Sequence, residues 1–231
     1  MQDYCRQALV TFSLLFVLSA CTATTQTNKS ETPSNWHDLF DGSSVDNWRT
    51  YQQSDIAPGW RIIGDELVLS EKNAGDIISR TQYADFELQL DWNVAEGGNS
   101  GIFVRADERG KHIYSHALEI QILDNQRHPD SKLATRRSGS LYDLQASSAA
   151  SQLPAEQWNH VRIVFKGTHL QVWQNSVQTV DIQIGSQAWQ QALAQSKFKD
   201  WPNYGLNTQG YIGLQDHGDR VAFKNIKIKS L

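Results

Sequence analysis

The stretch Asn99–Asp124, NSGIFVRADERGKHIYSHALEIQILD, decides the fold class. It contains two short apolar, β-branched runs, Gly101–Arg105 and Ala117–Asp124, with polar residues at every second position. Successive side chains of a strand point to opposite faces. Ile102 and Val104 therefore share one face against Gly101, Phe103 and Arg105, and Leu118, Ile120 and Ile122 share one against Glu119 and Gln121. An arginine, a glutamate and a glutamine on one face, with Asp124 just beyond, read as a ligand surface rather than a solvated one.

The same alternation recurs on both sides of this pair. In Phe86–Val94, FELQLDWNV, the residues Phe86, Leu88, Leu90 and Trp92 oppose Glu87, Gln89, Asp91 and Asn93. Gly59–Ser70 reads as a hairpin closed by Gly64-Asp65, a two-residue connection of the kind hairpins use. Trp158–Lys166, His169–Gln174 and Val177–Ile184 follow as strands joined at Gly167-Thr168 and Asn175-Ser176, and Gly210–Gln215 and Val221–Ile228 close the chain. Ile77–Arg80 and Leu141–Leu144 read as shorter strands, and the polar run Asn125–Ser140 as a long loop. One helix is expected over Gln187–Phe198, plugging an end of the fold. Many short alternating strands separated by turn signals predict an all-β, antiparallel β-sandwich with one short helix. No βαβ unit, phosphate-cradling glycine loop or internal repeat is present.

Composition narrows the function. The 231-residue chain has 8 Trp, 7 Tyr and 8 Phe for a core, and its formal net charge of −4 without a basic stripe argues against a nucleic-acid partner. Residues 1–20 read as a lipoprotein signal peptide. Their apolar run Ala8–Leu18 is too short to span a bilayer and ends in Leu18-Ser19-Ala20-Cys21, which resembles a lipobox with Cys21 as the lipidated residue. Residues 21–35 are rich in Thr, Ser and Asn and read as a flexible tether, leaving 36–231 as a single domain. The expected address is the cell envelope, lipid-anchored to the outer membrane and facing the periplasm, with Thr22 after the cysteine favouring that membrane. The only cysteines are Cys5 and Cys21, so no thiol chemistry or disulfide is expected in the domain.

Candidate functional groups come from three places: Arg105, Glu119 and Gln121; Asp124 and Tyr142; and Gln215-Asp216-His217 at a strand end. With Ile212 and Leu214 in the core, Gln215 faces the ligand side and His217 follows the same parity. Gly101 and Gly213 fall on that side too, where a glycine in a strand permits close approach of a ligand. Plain structural readings stand beside each: Arg105 and Glu119 as a cross-strand ion pair, His217 as a turn residue, Asn99 as a loop cap. The remaining histidines are scattered without metal-ligand spacing, and Ser100 and Ser138 lack a nucleophile elbow. No cofactor is expected, and the sequence leaves a loop-bound structural calcium open. The segment Glu119–Asp124 is similar to the paired-carboxylate strand of sandwich-fold glycoside hydrolases, but Gln121 at its centre cannot titrate.

Seven ordered motifs carry a wider resemblance: LFDGSSVDNW (Leu39–Trp48), NSGIFVR (Asn99–Arg105), ALEIQILD (Ala117–Asp124), GSLYDL (Gly139–Leu144), EQWNHVRI (Glu156–Ile163), SKF (Ser196–Phe198) and GYIGLQDHGDRVAFKNIKIK (Gly210–Lys229). Together they resemble the 3-keto-disaccharide hydrolase domain family over Trp36–Leu231. The resemblance implies a concanavalin A-like jelly roll and cleavage of glycosides already oxidised at C3, whose ketone acidifies the C2 proton and permits elimination of the aglycone followed by hydration. It further implies a carbohydrate substrate and functional partnership with a sugar 3-oxidoreductase. Such chemistry needs a base, a group for the carbonyl oxygen and a proton donor. On this expectation His217 or Glu119 is the base, and Arg105 and Gln121 hold the carbonyl or enolate oxygen. Asp124 binds hydroxyls or donates a proton, while Asn99, Tyr142 and Gln215 bind the sugar. A non-catalytic sugar-binding module and a conventional glycoside hydrolase remain open as alternatives.

Overall fold

The computed structural model describes residues 35–147 and 151–231, together with Gln2. The lipobox with Cys21 and the tether up to Ser34 lie outside the described residues. In chain order the strands are β1 (His37–Phe40), β2 (Trp48–Thr50), β3 (Trp60–Ile63), β4 (Glu66–Leu69), β5 (Ile77–Tyr83), β6 (Phe86–Val94), β7 (Asn99–Ala106) and β8 (Leu118–Leu123). They continue with β9 (Asn159–Lys166), β10 (His169–Gln174), β11 (Val177–Gln183), β12 (Gly210–Leu214) and β13 (Val221–Ser230), and helix α1 (Gln187–Gln195) lies between β11 and β12. The expected long strands and the helix are present. Leu141–Leu144 is not a strand but a tight turn with isolated bridges from Leu141 to Ile120 and Gln145, and Asp143 has a φ of 60°.

Two antiparallel sheets face each other. The eight-stranded sheet runs β11-β10-β9-β6-β13-β4-β3 with β1 also on β13, and the five-stranded sheet runs β2-β5-β12-β7-β8. The jelly-roll sandwich expected from the sequence is therefore the fold. Its core forms where the two sets of inward side chains meet: Leu88, Leu90 and Trp92 of β6 and Ile163 and Phe165 of β9, against Ile102, Val104, Ile120 and Ile212 of the smaller sheet. Each such side chain contributes about 1.5–3 kcal/mol by leaving water, so truncating Leu88 or Ile163 to Ala is expected to cost about 2–5 kcal/mol.

The outward faces differ. On the larger sheet the outer face is wet and charged, as where Glu87 accepts from Arg162 at 2.6 Å and pairs with Lys229 at 2.7 Å. On the smaller sheet β7 and β8 are buried along their full length, on both faces. Their outer face is covered by the segments before and after β8 and the one after α1, which bring Ile113, Tyr114, Tyr142 and Lys197 over it. A second apolar cluster, Ile78, Phe103, Ala106, Ile113 and Ala117, forms beneath that roof. Polar side chains pointing outward from β7, β8 and β12 thus enter a covered recess instead of solvent.

Candidate functional site

Glu119 and Gln121 emerge from β8 onto the roofed face, and Gln215 follows the last residue of β12 on the same side. Cross-strand pairing sets Gly101 opposite Gln121 and Phe103 opposite Glu119. The Glu119 carboxylate leans diagonally over Gly101, where an added Cβ would lie 2.5 Å from its Oε1. Gly213 in turn makes room for Ile113, whose Cδ1 would lie 2.5 Å from an added Cβ. Both glycines therefore admit neighbouring side chains of the protein itself, a correction to the expectation that they admit ligand.

These groups line a cleft of about 220 Å³ together with Asn99, Tyr114, Tyr142, Lys197 and His217. The sequence-derived candidates Glu119, Gln121, Gln215, His217, Asn99 and Tyr142 thus meet around one space. Lys197 and Tyr114 join them without having been singled out. Lys197 follows α1, which begins at a Ser186 cap accepting from Trp189 N–H. Phe198 stacks on Tyr204 at 4.0 Å and meets Trp201 edge-on at 5.1 Å, which anchors the loop after the helix. The Lys197 amide donates to the Asp143 carboxylate at 2.8 Å, and its ammonium sits 4.3 Å from the Tyr142 ring centre. Tyr114 belongs to the single turn Ile113–Ser115. Lys197 lies within the SKF motif, whereas Tyr114, in an irregular loop, left no periodic signal.

Burial sets the electrostatics. Desolvation raises the Glu119 carboxyl well above the ordinary range, the Lys197 cation opposes that shift, and the Asp76 carboxylate reinforces it. Burial likewise lowers the Lys197 ammonium, against the pull of Glu119. Tyr142 is pushed up to about 12, mainly by burial. With its amide nitrogen turned toward Ser100 O at 3.1 Å and Glu119 Oε1 at 3.2 Å, Gln121 steadies the carboxylate without adding a second charge. Two buried acceptors, Asn99 Oδ1 and Gln215 Oε1, have no partner in the protein. Buried polar atoms are normally satisfied, so these two carbonyls suit donors of a bound ligand. Among the described residues no group of three or more His, Cys, Asp or Glu side chains is arranged to hold a metal.

His217 is presented by a clamped turn at the cleft mouth. Asp216 accepts from Gly75 N–H and Gly218 N–H, each at 2.9 Å, and its own N–H donates to Asp76 Oδ1 at 2.9 Å. Asp76, half-buried beside the turn, is pushed up to about 6, mainly by desolvation.

Arg105 and Asp124 do not line the cleft, and the roles expected for them are corrected. Between Tyr211 and Gly213 the pairing of β12 with β7 skips from Ala106 to Phe103, so β7 carries an extra residue. At this bulge Arg105 has a φ of 50°, and alternation breaks. Its guanidinium turns 3.5 Å over the Phe165 ring and donates to Ala84 O at 2.7 Å and Gly167 O at 2.9 Å. Weaker contacts to Asn207 O and the Asp85 carboxylate, both at 3.3 Å, engage its remaining donors. Nor does Arg105 pair with Glu119. Asp124 is wholly buried and accepts from Gly97 N–H at 2.7 Å and Gln126 N–H at 2.9 Å, tying two turns together.

Comparison with known proteins agrees with this architecture. A 3-keto-disaccharide hydrolase of Bacteroides thetaiotaomicron is 35% identical over 225 residues, covering 84% of this chain and 77% of that protein. A candidate glycosyl hydrolase of Parabacteroides distasonis superimposes with a TM-score of 0.79 at 26% identity, covering 87% of this chain and 98% of that one. A second such protein from the same organism gives 0.65 at 27% identity, covering 85% and 99%. Residues 35–229 match the 3-keto-alpha-glucoside-1,2-lyase-like domain, and the chain belongs to that family.

Proposed function

We propose that this protein is a hydrolase of glycosides oxidised at C3, working by elimination across C1–C2 and subsequent hydration. The observation that carries the reading is the Glu119 carboxylate, buried near Lys197 in a cleft that also holds two unpartnered carbonyls. A desolvated carboxylate is a stronger base than one in water, and a neighbouring cation suits the anion that proton removal creates.

In the proposed sequence Glu119 takes the C2 proton, and the C–H electron pair forms an enolate whose oxygen, on C3, faces Lys197. Collapse of the enolate forms the C1–C2 double bond and expels the C1–O electron pair onto the aglycone oxygen, which takes a proton from His217. Water then adds across the enone, hydroxide to C1 and a proton to C2, giving the free 3-keto sugar and the aglycone. Asn99 Oδ1 and Gln215 Oε1 accept from sugar hydroxyls. Lys197 thereby takes the part first expected of Arg105. Gln121 suits this chemistry because a second carboxylate would repel the enolate. The C3 ketone has to be made before the glycoside arrives, so an oxidoreductase acting on the sugar C3 hydroxyl precedes this enzyme. A lipid anchor at Cys21 would hold it in the envelope, with the substrate reaching it there.

Incubating the protein with a glucoside and its 3-keto counterpart tests the reading. Sugar release from the oxidised substrate alone is expected. Release from the unoxidised glucoside would make it a conventional glycosidase, and binding without release would make it a sugar-binding module.

A further inference from the structure

Next to the cleft lies a wider trough of about 550 Å³, and Tyr114 is a wall of both spaces. One side of the trough is aromatic. The His112 ring lies parallel to Tyr114, with centres 4.9 Å apart, and Tyr114 meets Trp201 at 6.1 Å with the planes tilted by 32°. Pro202 continues the apolar surface. Most of the polar side chains around this trough are engaged with the protein, the Asp200 carboxylate and the Tyr114 hydroxyl being the exceptions. Arg109 donates to Asp107 and to Asn207 Oδ1, His116 meets Asp107 at 3.0 Å, and the Ser115 hydroxyl accepts from His112 N–H at 3.4 Å.

The contrast with the cleft is chemical. The cleft holds unpartnered carbonyls suited to a sugar's hydroxyls, whereas the trough offers ring faces and few uncommitted hydrogen-bonding groups. We propose that the trough is the leaving-group subsite and that it takes a flat aromatic aglycone, making aryl 3-keto-glycosides the preferred substrate class. A second sugar ring would find only the Asp200 carboxylate and the Tyr114 hydroxyl uncommitted for its several hydroxyls. An aryl ring stacks on the faces of His112, Tyr114 and Trp201 and loses no hydrogen bonds. This inference rests on the assignment of the adjoining cleft to a 3-keto sugar.

The test compares the 3-keto forms of phenyl and methyl glucoside of one anomer. Binding is followed by titration and aglycone release in parallel, for the wild type, Trp201→Ala and His112→Ala. Stacking contacts are worth about 0.5–1.5 kcal/mol, so the phenyl compound should bind up to about tenfold more tightly to the wild type. Trp201→Ala should abolish most of that advantage with the methyl compound unaffected. Because Trp201 also packs on Phe198, the exposed His112 supplies a second variant, in which the advantage should shrink while folding is retained. Equal affinity of the wild type for both compounds, affinity for neither, or a parallel loss for both in His112→Ala would overturn the assignment. Release of neither aglycone would refute the elimination chemistry alone, since the ratio of affinities still reports on the trough.

Discussion

Replacing Glu119 with Gln should destroy activity and, above neutral pH, stabilise the fold. The substitution keeps the side chain's size over Gly101 and removes only the carboxylate, so the loss of the base can be read without a cavity. Removing a positioned general base costs about 10²–10⁴-fold in rate, and kcat/KM on a 3-keto-glucoside should fall within that range. The stability effect follows from burial. Glu119 is 5% exposed, and its carboxyl is raised in the folded protein relative to the unfolded chain, where Glu titrates near about 4.3. Below that value both states carry the proton and no penalty exists. As pH rises, the unfolded chain ionises first, and stability is lost progressively until the folded carboxyl also ionises. Every tenfold loss of acidity on folding costs about 1.4 kcal/mol. The raised carboxyl therefore destabilises the wild type at pH 8 by an amount on the order of a few kcal/mol, or several degrees in Tm at about 2–4 °C per kcal/mol for a domain of this size. Lys197 trims the gain, because in Glu119→Gln its ammonium loses a counter-charge. Thermal unfolding of both proteins at pH 5 and pH 8, beside kcat/KM, checks the reasoning. The Tm difference should favour Glu119→Gln and widen with pH. Activity above a tenth of the wild type would place the base elsewhere, and a Tm difference independent of pH would refute the burial argument.

Arg105→Ala removes the guanidinium that packs over Phe165 and donates to the carbonyls of Ala84 and Gly167, and should cost about 1–3 kcal/mol. Chemical denaturation should show that loss, with Arg105→Lys failing to restore it, while kcat/KM of the folded fraction stays within about threefold of the wild type. His217→Ala should lower kcat by about 10²-fold for an alkyl aglycone and far less for a nitrophenol, which departs without a proton. Equal losses on both would remove His217 from the leaving-group step. Gly101→Ala directs a methyl group at the Glu119 carboxylate and should lower kcat/KM by about tenfold or more, at a stability cost of about 1–3 kcal/mol in denaturant unfolding.

Alternation alone was enough to find the sandwich and most of the cleft. Glu119 and Gln121 are two apart on one strand, and Gln215 keeps parity with Tyr211 and Gly213, so period-two reasoning carries them all to one face. The same reasoning failed at Arg105 because a bulge adds one residue to β7, and a single inserted residue reverses the face of every residue beyond it. Asp124 failed for a related reason: beyond the end of β8 its carboxylate caps turns, and strand parity no longer applies. Gly101 and Gly213 read as making room for a ligand, but the space they leave is taken by Glu119 and Ile113.

The amino-acid sequence by itself determined the all-β class, the faces of the long strands and the identity of the polar groups that share one of them, because these depend on chemistry repeated every two residues. Tertiary structure alone decided that this face is roofed. It brought Lys197 and Tyr114 in from irregular segments, left Asn99 and Gln215 with unpartnered carbonyls, and withdrew Arg105 into the scaffold. Desolvation arises only when distant loops close over a strand, and on that closure the basicity of Glu119 depends.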